Sequence, residues 1–290
     1  MSSSDKEFNN IKIHTQYSIC EGAIKIDDLA EYCKANKVKA IGLADSYNLC
    51  GALEFAEKIS KAGTQPIIGT QINILSENQI GKISLYATSE KGYKNLTKLS
   101  SISYLKKKGL NEPYCGIDEI IANNEDLVLL TGNYQNFFGK LFYSNKIKHL
   151  EKILVKLKSS FKDRLYIEIQ RHKEDKESNY ENYLLNTSSS LNLPLIATQE
   201  VYYLDPGMAE AHDALICIGE KKFVSDPNRY RYSNQHYIKK TDELSEVYKD
   251  IPEALENNYN FPLRFNFKPK KSKPILPSIS TGQSISAEHE

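Results

Sequence analysis

Two short segments near the start of the chain carry the residue types and spacings most able to do chemistry. Residues 11–18 read Ile-Lys-Ile-His-Thr-Gln-Tyr-Ser, and residues 44–51 read Ala-Asp-Ser-Tyr-Asn-Leu-Cys-Gly. Each places polar side chains where an apolar run ends, which is typical of a strand that runs into a loop. His14 and Asp45 are the kinds of group that hold metal ions in hydrolases, whereas Lys12 and Ser46 beside them are not. The pattern therefore indicates a loop-borne site whose metal chemistry is eroded.

Composition excludes several classes of protein. The chain has 290 residues, of which 40% are hydrophobic, and a formal net charge of +1. This hydrophobic content is enough for a sizeable core, and the charge gives no sign of a nucleic-acid or membrane surface. Five cysteines without a C-x-x-C pair are typical of free thiols in a reducing compartment. No signal-peptide core and no apolar run of about 18 residues occurs, so we expect a cytoplasmic protein without a membrane partner.

Apolar, β-branched runs alternate with amphipathic stretches along most of the chain. Strands are predicted at residues 10–15, 39–45, 66–69, 83–87, 126–131, 164–170 and 193–198, and helices at 26–33, 52–61, 93–103, 150–157, 180–191 and 209–218. This alternation indicates βαβ units and a largely parallel sheet. About seven such units favour a closed, TIM-like barrel, with an open sheet as the alternative. Two stretches break the pattern: residues 72–86 resemble an inserted hairpin, and 221–237 form a polar, tyrosine-rich excursion.

A parallel α/β barrel collects its reactive residues at the carboxyl ends of its strands. The polar residues in that position are His14, Asp45, Ser46, Gln71, residues 131–133, residues 170–172, Gln199 and Glu200. The barrel interpretation therefore predicts one site at one end of the fold.

The end of the chain differs in composition from the rest. Residues 268–290 are rich in Lys, Pro and Ser and show no helical period. We therefore expect a folded domain over residues 1–267, followed by a linker or tail. The basic triplet 106–108 and the run 268–273 are predicted to be solvated surface, with contacts to DNA phosphates as the alternative.

Several motifs together resemble the polymerase and histidinol phosphatase (PHP) domain family. Its metal-binding members open on His-x-His-Thr, which aligns with residues 12–15, and continue with Thr-Asp-His-Gly-Asn-Leu-x-Gly, which aligns with 44–51. Further matches lie at residues 65–69, 92–96, 165–172, 193–198, 209–213 and 250–255. In this order they resemble most the PHP domain of bacterial DNA polymerase III alpha subunits, from Phe8 to about Ile279. The resemblance implies a distorted (β/α)7 barrel of the TIM-like type.

The same resemblance implies a vestigial metal site. Metal-binding members use about nine ligands, and this chain places Lys12, Ser46, Gln71, Asn133 and Tyr202 where the family has ligating side chains. One further position, for which Tyr104 is the candidate, is not placed securely. The predicted vestigial site comprises Lys12, His14, Glu21, Asp45, Ser46, Gln71, Asn133, Glu200 and Tyr202. Only His14, Glu21 and Glu200 remain as weak candidate ligands, too few for one four-coordinate ion.

The position of Lys12 suggests what replaces the metal. A lysine among carboxylates supplies the positive charge that a buried acidic cluster needs. We therefore predict that Lys12 pairs with Asp45 or Glu200, and that Asp45 otherwise accepts hydrogen bonds from backbone amides. His172 and His212 are expected to be structural.

The family resemblance also implies a function. The parent protein would be a DNA-directed DNA polymerase, whose catalytic Mg²⁺ ions bind in a palm domain beyond residue 290. This segment would be non-catalytic, with no cofactor of its own, and would dock the proofreading exonuclease (epsilon) subunit. Its partners would be the rest of the alpha subunit, that exonuclease and, in the full polymerase, DNA. The alternatives are a working metal-dependent phosphoesterase or 3′–5′ exonuclease, and a stand-alone phosphatase for small molecules.

Overall fold

Helices and strands alternate along the chain in the computed structural model, which describes residues 6–105 and 112–272. The strands are β1 Lys12–Ile13, β2 Ala40–Leu43, β3 Gln65–Ser76, β4 Gln79–Ala87, β5 Cys115–Gly116, β6 Leu127–Leu130, β7 Leu165–Gln170, β8 Leu195–Thr198 and β9 Glu200–Val201. The helices are α1 Ile26–Asn36, α2 Ala52–Lys61, α3 Glu90–Leu105, α4 Ile117–Ala122, α5 Phe137–Tyr143, α6 Ile147–Phe161, α7 Glu177–Leu191, α8 Ala209–Glu220, α9 Thr241–Val247 and α10 Pro252–Asn260. The predicted alternation is confirmed, with boundaries shifted by a few residues.

The sheet closes on itself. Its strand order is β8-β7-β6-β4-β3-β2-β1-β9, with β5 attached to β3 outside this path. Only Gln199 separates β8 from β9 in the chain, so these two strands at opposite ends of the path are one bent segment. That segment pairs with β7 on one side and with β1 on the other. The result is a barrel with seven wall positions, which confirms the predicted α/β, TIM-like (β/α)7 class.

One wall strand runs against the others. β4 pairs antiparallel with both β3 and β6, whereas the remaining wall pairs are parallel. The prediction that residues 72–86 form a hairpin is confirmed, but the interpretation of that hairpin as an insertion is wrong. Its second strand completes the wall, because a tight turn after β3 returns the chain antiparallel beside it, where a parallel strand would need a longer crossover. This antiparallel strand distorts the barrel.

Local sequence signals explain how the helices end. Gly63 follows α2 with φ 85°, a left-handed conformation that costs glycine no strain and suits the position after a helix. Phe55, Ala56 and Ile59 form the buried face of α2. Their spacing of one and three residues is that of an amphipathic helix lying on the barrel wall.

The barrel interior is layered. At the amino ends of the strands the interior is apolar, and Phe261 and Phe265 close it by edge-on contacts with Tyr86. The Tyr86 hydroxyl donates to the carbonyl of Ile11 at 3.0 Å, so its polar atom is satisfied inside. Towards the carboxyl ends the interior becomes polar, with Glu168 and other charged or amide side chains fully buried. The interior polar layer therefore lies beneath the mouth where the site was predicted.

Two other predicted regions have different outcomes. Residues 221–237 form no helix or strand apart from a single bridge between Tyr203 and Tyr237, and they fold over the barrel mouth. Residues 265–272 are described and lie at the opposite end, whereas the basic triplet 106–108 and residues 273–290 lie outside the described residues. In the described part of the chain, the helices are too short or too polar to cross a membrane.

A buried amide clamp joins the last helix to the first strand. Asn258 is fully buried in α10, and its Oδ1 accepts from the Asn9 backbone at 2.8 Å. Its Nδ2 donates to the carbonyls of Asn9 at 3.0 Å and Ala197 at 2.9 Å. One side chain thus ties the chain entering β1 to β8, on both sides of the barrel seam.

We expect Asn258→Ala to lower the free energy of unfolding by about 2–3 kcal/mol, because it leaves buried backbone groups without partners. Asn260→Ala is the matched control, since it makes the same change in the same helix at an exposed position. Urea unfolding of both variants measures the difference. Equal losses would show that the clamp contributes nothing beyond helix propensity.

Candidate functional site

Glu200 is the centre of the network at the barrel mouth. His14 Nε2 lies 2.9 Å from its Oε1, and Gln71 Nε2 donates to the same oxygen at 2.6 Å. Asn133 Nδ2 donates to Oε2 at 3.3 Å, and Lys12 Nζ lies 4.0 Å from Oε1. Burial acts to raise the pKa of the Glu200 carboxyl, but Lys12 and His14 outweigh it and hold that pKa well below its usual range. Strand ends that are far apart in the sequence thus converge on one ionised carboxylate.

Lys12 makes its shortest ion pair with a residue that the sequence interpretation did not single out. Its Nζ lies 3.0 and 3.2 Å from the two carboxylate oxygens of Glu168, and both side chains are fully buried. Glu168 also accepts from the backbone of Gly132 at 2.8 Å and from Gln170 Nε2 at 2.6 Å. The prediction that Lys12 pairs with either Asp45 or Glu200 therefore left out its closest partner. Glu168 is the direct partner, and Glu200 is the more distant second carboxylate.

Asp45 has neutral partners. Its carboxylate accepts from the Thr15 backbone at 2.6 Å, the Thr15 hydroxyl at 2.7 Å and the Ser18 hydroxyl at 2.7 Å. The alternative prediction of a backbone amide donor is confirmed, and the predicted Lys12–Asp45 pairing is wrong. Burial raises the pKa of Asp45, although the bonds from Ser18 and Thr15 oppose the rise. Ser18 Oγ also lies 3.2 Å from His14 Nδ1, so Asp45 is linked to the network through a hydroxyl.

A second lysine neutralises the outer edge of the site. Lys82 Nζ lies 2.7 and 2.8 Å from the oxygens of Glu21 and 3.0 Å from the hydroxyl of Ser46. Burial raises the pKa of Glu21 when taken alone, but Lys82 and His14 bring it below its usual value. Burial likewise lowers the pKa of the Lys82 ammonium, but attraction to Glu21 dominates and raises it. Both groups are therefore charged near neutral pH.

Aromatic rings cover the network. Tyr202 stacks on His14 with ring centroids 4.5 Å apart, and it also lies 5.1 Å from Tyr232 of the excursion 221–237. His212 stacks on Tyr202 at 5.2 Å, and its Nε2 donates to the carbonyl of Glu21 at 2.8 Å. Burial lowers the pKa of His212 to about 4, so it is neutral at physiological pH. The excursion thus packs on the barrel mouth, as its tyrosines predicted.

A further buried cluster borders the site. His172 and His236 stack with centroids 4.1 Å apart, and the backbone N–H of Glu200 donates to His172 Nε2 at 3.2 Å. Burial holds the pKa of His172 well below its usual value, so its ring stays neutral and can accept this bond. The Tyr230 hydroxyl donates to Glu174 at 2.8 and 2.9 Å. These groups hold the Glu200 backbone and the excursion in place, which agrees with the structural role expected for His172.

The structure gathers most of the predicted positions. Lys12, His14, Gln71, Asn133 and Tyr202 surround Glu200, while Glu21 and Ser46 meet at Lys82 and Asp45 lies behind Ser18. Tyr104 is different, because this residue is 48% exposed on α3. The sequence interpretation missed Glu168 and Lys82. Glu168 could have been found, because it lies two residues after the inward-facing Tyr166 and two before Gln170, on the same face of β7.

A polar cavity of about 280 Å³ opens beside the network, with Lys82, Glu200 and Tyr202 in its lining. Gln71 lines it too, and its Oε1 has no hydrogen-bond partner among the described residues. Within residues 6–105 and 112–272, no three or more His, Cys, Asp or Glu side chains are grouped so that they could hold a metal ion. The cavity gives room for water to satisfy Gln71.

We expect Lys12→Ala to lower the free energy of unfolding by about 3–5 kcal/mol, because Glu168 would stay buried without its cation. Lys91→Ala is the control, since Lys91 forms an ion pair of 2.6 Å with Glu125 at the exposed surface. Chemical unfolding of both variants gives the comparison. The double variant Lys12→Ala with Glu168→Gln should recover part of the lost free energy of unfolding. Equal losses in Lys12→Ala and Lys91→Ala would refute the role of Lys12 in a buried ion pair.

Comparison with known proteins agrees with this geometry. The sequence model of a family described as the PHP domain matches residues 10–172. The chain is 36% identical over 283 residues to the DNA polymerase III subunit alpha of Caulobacter vibrioides, covering 95% of this chain and 25% of that protein. It is 34% identical over 276 residues to the same subunit of Rickettsia bellii, covering 95% and 24%. The chain thus spans about a quarter of the length of the curated relatives it matches.

One solved structure is similar over a shorter length. It is described as a metal-dependent phosphoesterase from Bifidobacterium adolescentis, with a TM-score of 0.47 and 13% identity over 66% of this chain and 86% of that chain. The family match covers more than half of the chain, and the similarity to the polymerase subunits extends over nearly all of it. The chain therefore belongs to the PHP domain family, in the form that occurs in DNA polymerase III alpha subunits.

Proposed function

We propose that this chain is the PHP domain of a replicative DNA polymerase alpha subunit and acts as a structural and docking module rather than as a hydrolase. The observation that supports this most is the fully buried ammonium of Lys12, 3.0 Å from Glu168, at the position that aligns with the first histidine of the family's metal-binding motif. A permanent cation there supplies part of the positive charge that a bound dication would otherwise supply.

The donor set does not fit a metal centre. The Glu200 carboxylate already has His14, Gln71 and Asn133 as hydrogen-bond partners. Both carboxylate oxygens of Glu21 already bind Lys82. A dication near Lys12 would face repulsion between like charges at a fully buried position, and one near Lys82 would face the same repulsion at the edge of the cavity. It would also need to displace amide and ammonium donors that hold the present network together. We therefore derive no catalytic step at this site and propose that its metal-binding role has been lost.

The same network has a structural use. Lys12 lies on β1, Glu168 on β7 and Glu200 on β9, so the ion pairs span the seam at which the barrel closes. In a full alpha subunit, the polymerase chemistry and its Mg²⁺ ions would belong to a palm domain. This domain would then hold its fold without metal and present surfaces to the rest of the subunit, to the proofreading exonuclease and to DNA in the cytoplasm. The alternative remains a metal-dependent phosphoesterase or 3′–5′ exonuclease, which metal content and activity distinguish.

We expect the purified chain to hold well under one Zn²⁺, Mn²⁺ or Fe ion per molecule, because two lysines occupy the electrostatic centre of the site. Elemental analysis before and after chelation measures this directly. The chain should also leave p-nitrophenyl phosphate and DNA 3′ ends intact when Mg²⁺, Mn²⁺ or Zn²⁺ is added. Two or three tightly held ions, or metal-stimulated trimming abolished by His14→Ala, would restore the catalytic interpretation.

We expect the chain to bind the proofreading exonuclease subunit encoded in the same genome, in a calorimetric titration or by co-elution. Binding to DNA alone should be weak and steeply salt-dependent, because a net charge of +1 offers little counterion release. The absence of any complex with the exonuclease would contradict the docking role while leaving the structural role in place.

A further inference from the structure

A serine, a histidine and a glutamate lie in contact at the tip of the β3–β4 hairpin. Ser76 Oγ lies 3.0 Å from His149 Nε2, and Glu77 Oε1 lies 3.4 Å from His149 Nδ1. The carboxylate beside Nδ1 favours the tautomer with the proton on that nitrogen, which leaves Nε2 able to accept the proton of the serine. A hydroxyl that meets a base oriented by a carboxylate is the arrangement that activates a nucleophilic serine. We call these three residues the serine cluster.

Two elements hold the serine cluster in place. Ser76 is the last residue of β3, and Glu77 begins the turn that leads to β4. His149 lies in the first turn of α6, whose Leu150 and Ile153 are packed into the core. The base is therefore carried by a fixed helix rather than by a loop, and sites built on such elements hold their geometry more precisely.

A groove of about 800 Å³ gives access to the serine cluster, and all three of its residues line that groove. Leu75, Ile117 and Ile153 contribute apolar lining. Among the described residues, the groove shares no lining residue with the cavity of about 280 Å³ at the barrel mouth. The His149 side chain is 24% exposed, so a molecule in the groove can reach it. The serine cluster is therefore a second, separate site with apolar walls.

Lys152 adds the remaining group that acyl transfer to a serine needs. It follows His149 by three residues on α6, so the two side chains share one face of the helix, and it lines the same groove. Within residues 6–105 and 112–272, no carboxylate lies within 4.0 Å of its ammonium, so its charge is available. A cation beside the nucleophile stabilises the negative charge that develops on a carbonyl oxygen under attack.

The other charged groups around the serine cluster already have partners. Lys156 binds Asp118, and Glu119 Oε2 accepts from a backbone N–H at 2.9 Å. Lys146 Nζ lies 3.7 Å from Glu77 Oε2, whereas the imidazole contact is made by the other carboxylate oxygen. The carboxylate is thus shared between the lysine and the imidazole, and each partner has its own oxygen.

We propose that Ser76 is an activated nucleophile that takes up an acyl group from an activated carboxylic ester bound in this groove. Its Oγ bonds to the carbonyl carbon while His149 Nε2 accepts the hydroxyl proton, and Lys152 stabilises the charge on the carbonyl oxygen. The bond from that carbon to the ester oxygen then breaks, His149 returns the proton to the departing alcohol, and the acyl group stays on Ser76. This inference goes beyond the docking function, because it concerns covalent modification at a separate site.

The test treats the 290-residue chain with p-nitrophenyl butyrate and maps the acylated residues by mass spectrometry. Ser76 should carry the butyryl group, and p-nitrophenolate should appear in a burst of about one equivalent per chain. Ser76→Ala should abolish that burst. Ser159 of α6 is the internal control, because it is an exposed serine whose hydroxyl donates to the carbonyl of Val155 at 3.0 Å rather than to an imidazole. It should stay unmodified.

His149→Gln separates an activated serine from a purely structural contact, because glutamine can keep a hydrogen bond to Ser76 but cannot take up its proton. The rate of Ser76 acylation should fall by about 100-fold or more. Lys148→Ala is the matched control, since Lys148 is exposed on the same helix, does not line the groove and should leave the rate unchanged. Circular dichroism melts confirm that each variant remains folded.

Glu77 is a positioning residue in this scheme, because it acts through the imidazole. Glu77→Gln should lower the acylation rate by about tenfold or more, and Glu77→Asp should retain more of the rate because it keeps a carboxylate. Equal rates in the unaltered chain and His149→Gln, or acylation of Ser76 no faster than that of Ser159, would overturn the proposal. Acylation confined to lysines would overturn it as well. The serine cluster would then be a hydrogen-bonded tie between the hairpin and α6.

Discussion

The rest of the structure depends on one buried charge. An ammonium inside a closed barrel loses its hydration, and this loss is tolerated only where carboxylates replace the water. Lys12 meets that condition through Glu168 at 3.0 Å and Glu200 at 4.0 Å. The two glutamates lie on β7 and β9, on either side of the seam made by β8 and Gln199. The closure of the barrel wall therefore also brings both carboxylates to the Lys12 ammonium. The polar layer of the interior contributes to the fold in the same way as the apolar layer below it.

This arrangement shows why the buried carboxylates at the barrel mouth require cations. A carboxylate cluster without cations would repel itself, so a site of this kind needs either bound metal ions or basic side chains. Here Lys12 pairs with Glu168 and lies near Glu200, and Lys82 pairs with Glu21 at the outer edge. Glutamine and asparagine supply the remaining donors to Glu200. The outcome is a network of charge-assisted hydrogen bonds that lies beside a polar cavity of about 280 Å³.

The sequence predicted the fold class and the end of the barrel where the site lies, because hydrophobic periodicity and strand ends are local signals. It did not single out the partner of Lys12, because Glu168 lies inside an apolar-looking strand, although its spacing of two residues from Gln170 puts both side chains on one face of that strand. Lys82 was missed for a related reason. It lies on β4 one residue before the predicted strand 83–87, in the stretch that was interpreted as an inserted hairpin. Tyr104, which the family likeness could not place securely, lies on the exposed face of α3.

The pairing of β1 with β9 has a consequence for synthesis on the ribosome. Lys12 lies opposite Glu200 in that pairing, so the first strand must wait for a partner made 188 residues later. At usual rates of translation the delay is roughly 10–40 seconds. Throughout it, the free side of β1 is an open strand edge of the kind that invites pairing with other chains. A lysine on such an edge resists that mispairing, because docking a bare ammonium against a foreign strand is unfavourable. Lys12, which forms the buried ion pairs of the folded barrel, thus also disfavours mispairing of the nascent chain until Glu168 and Glu200 have been synthesised.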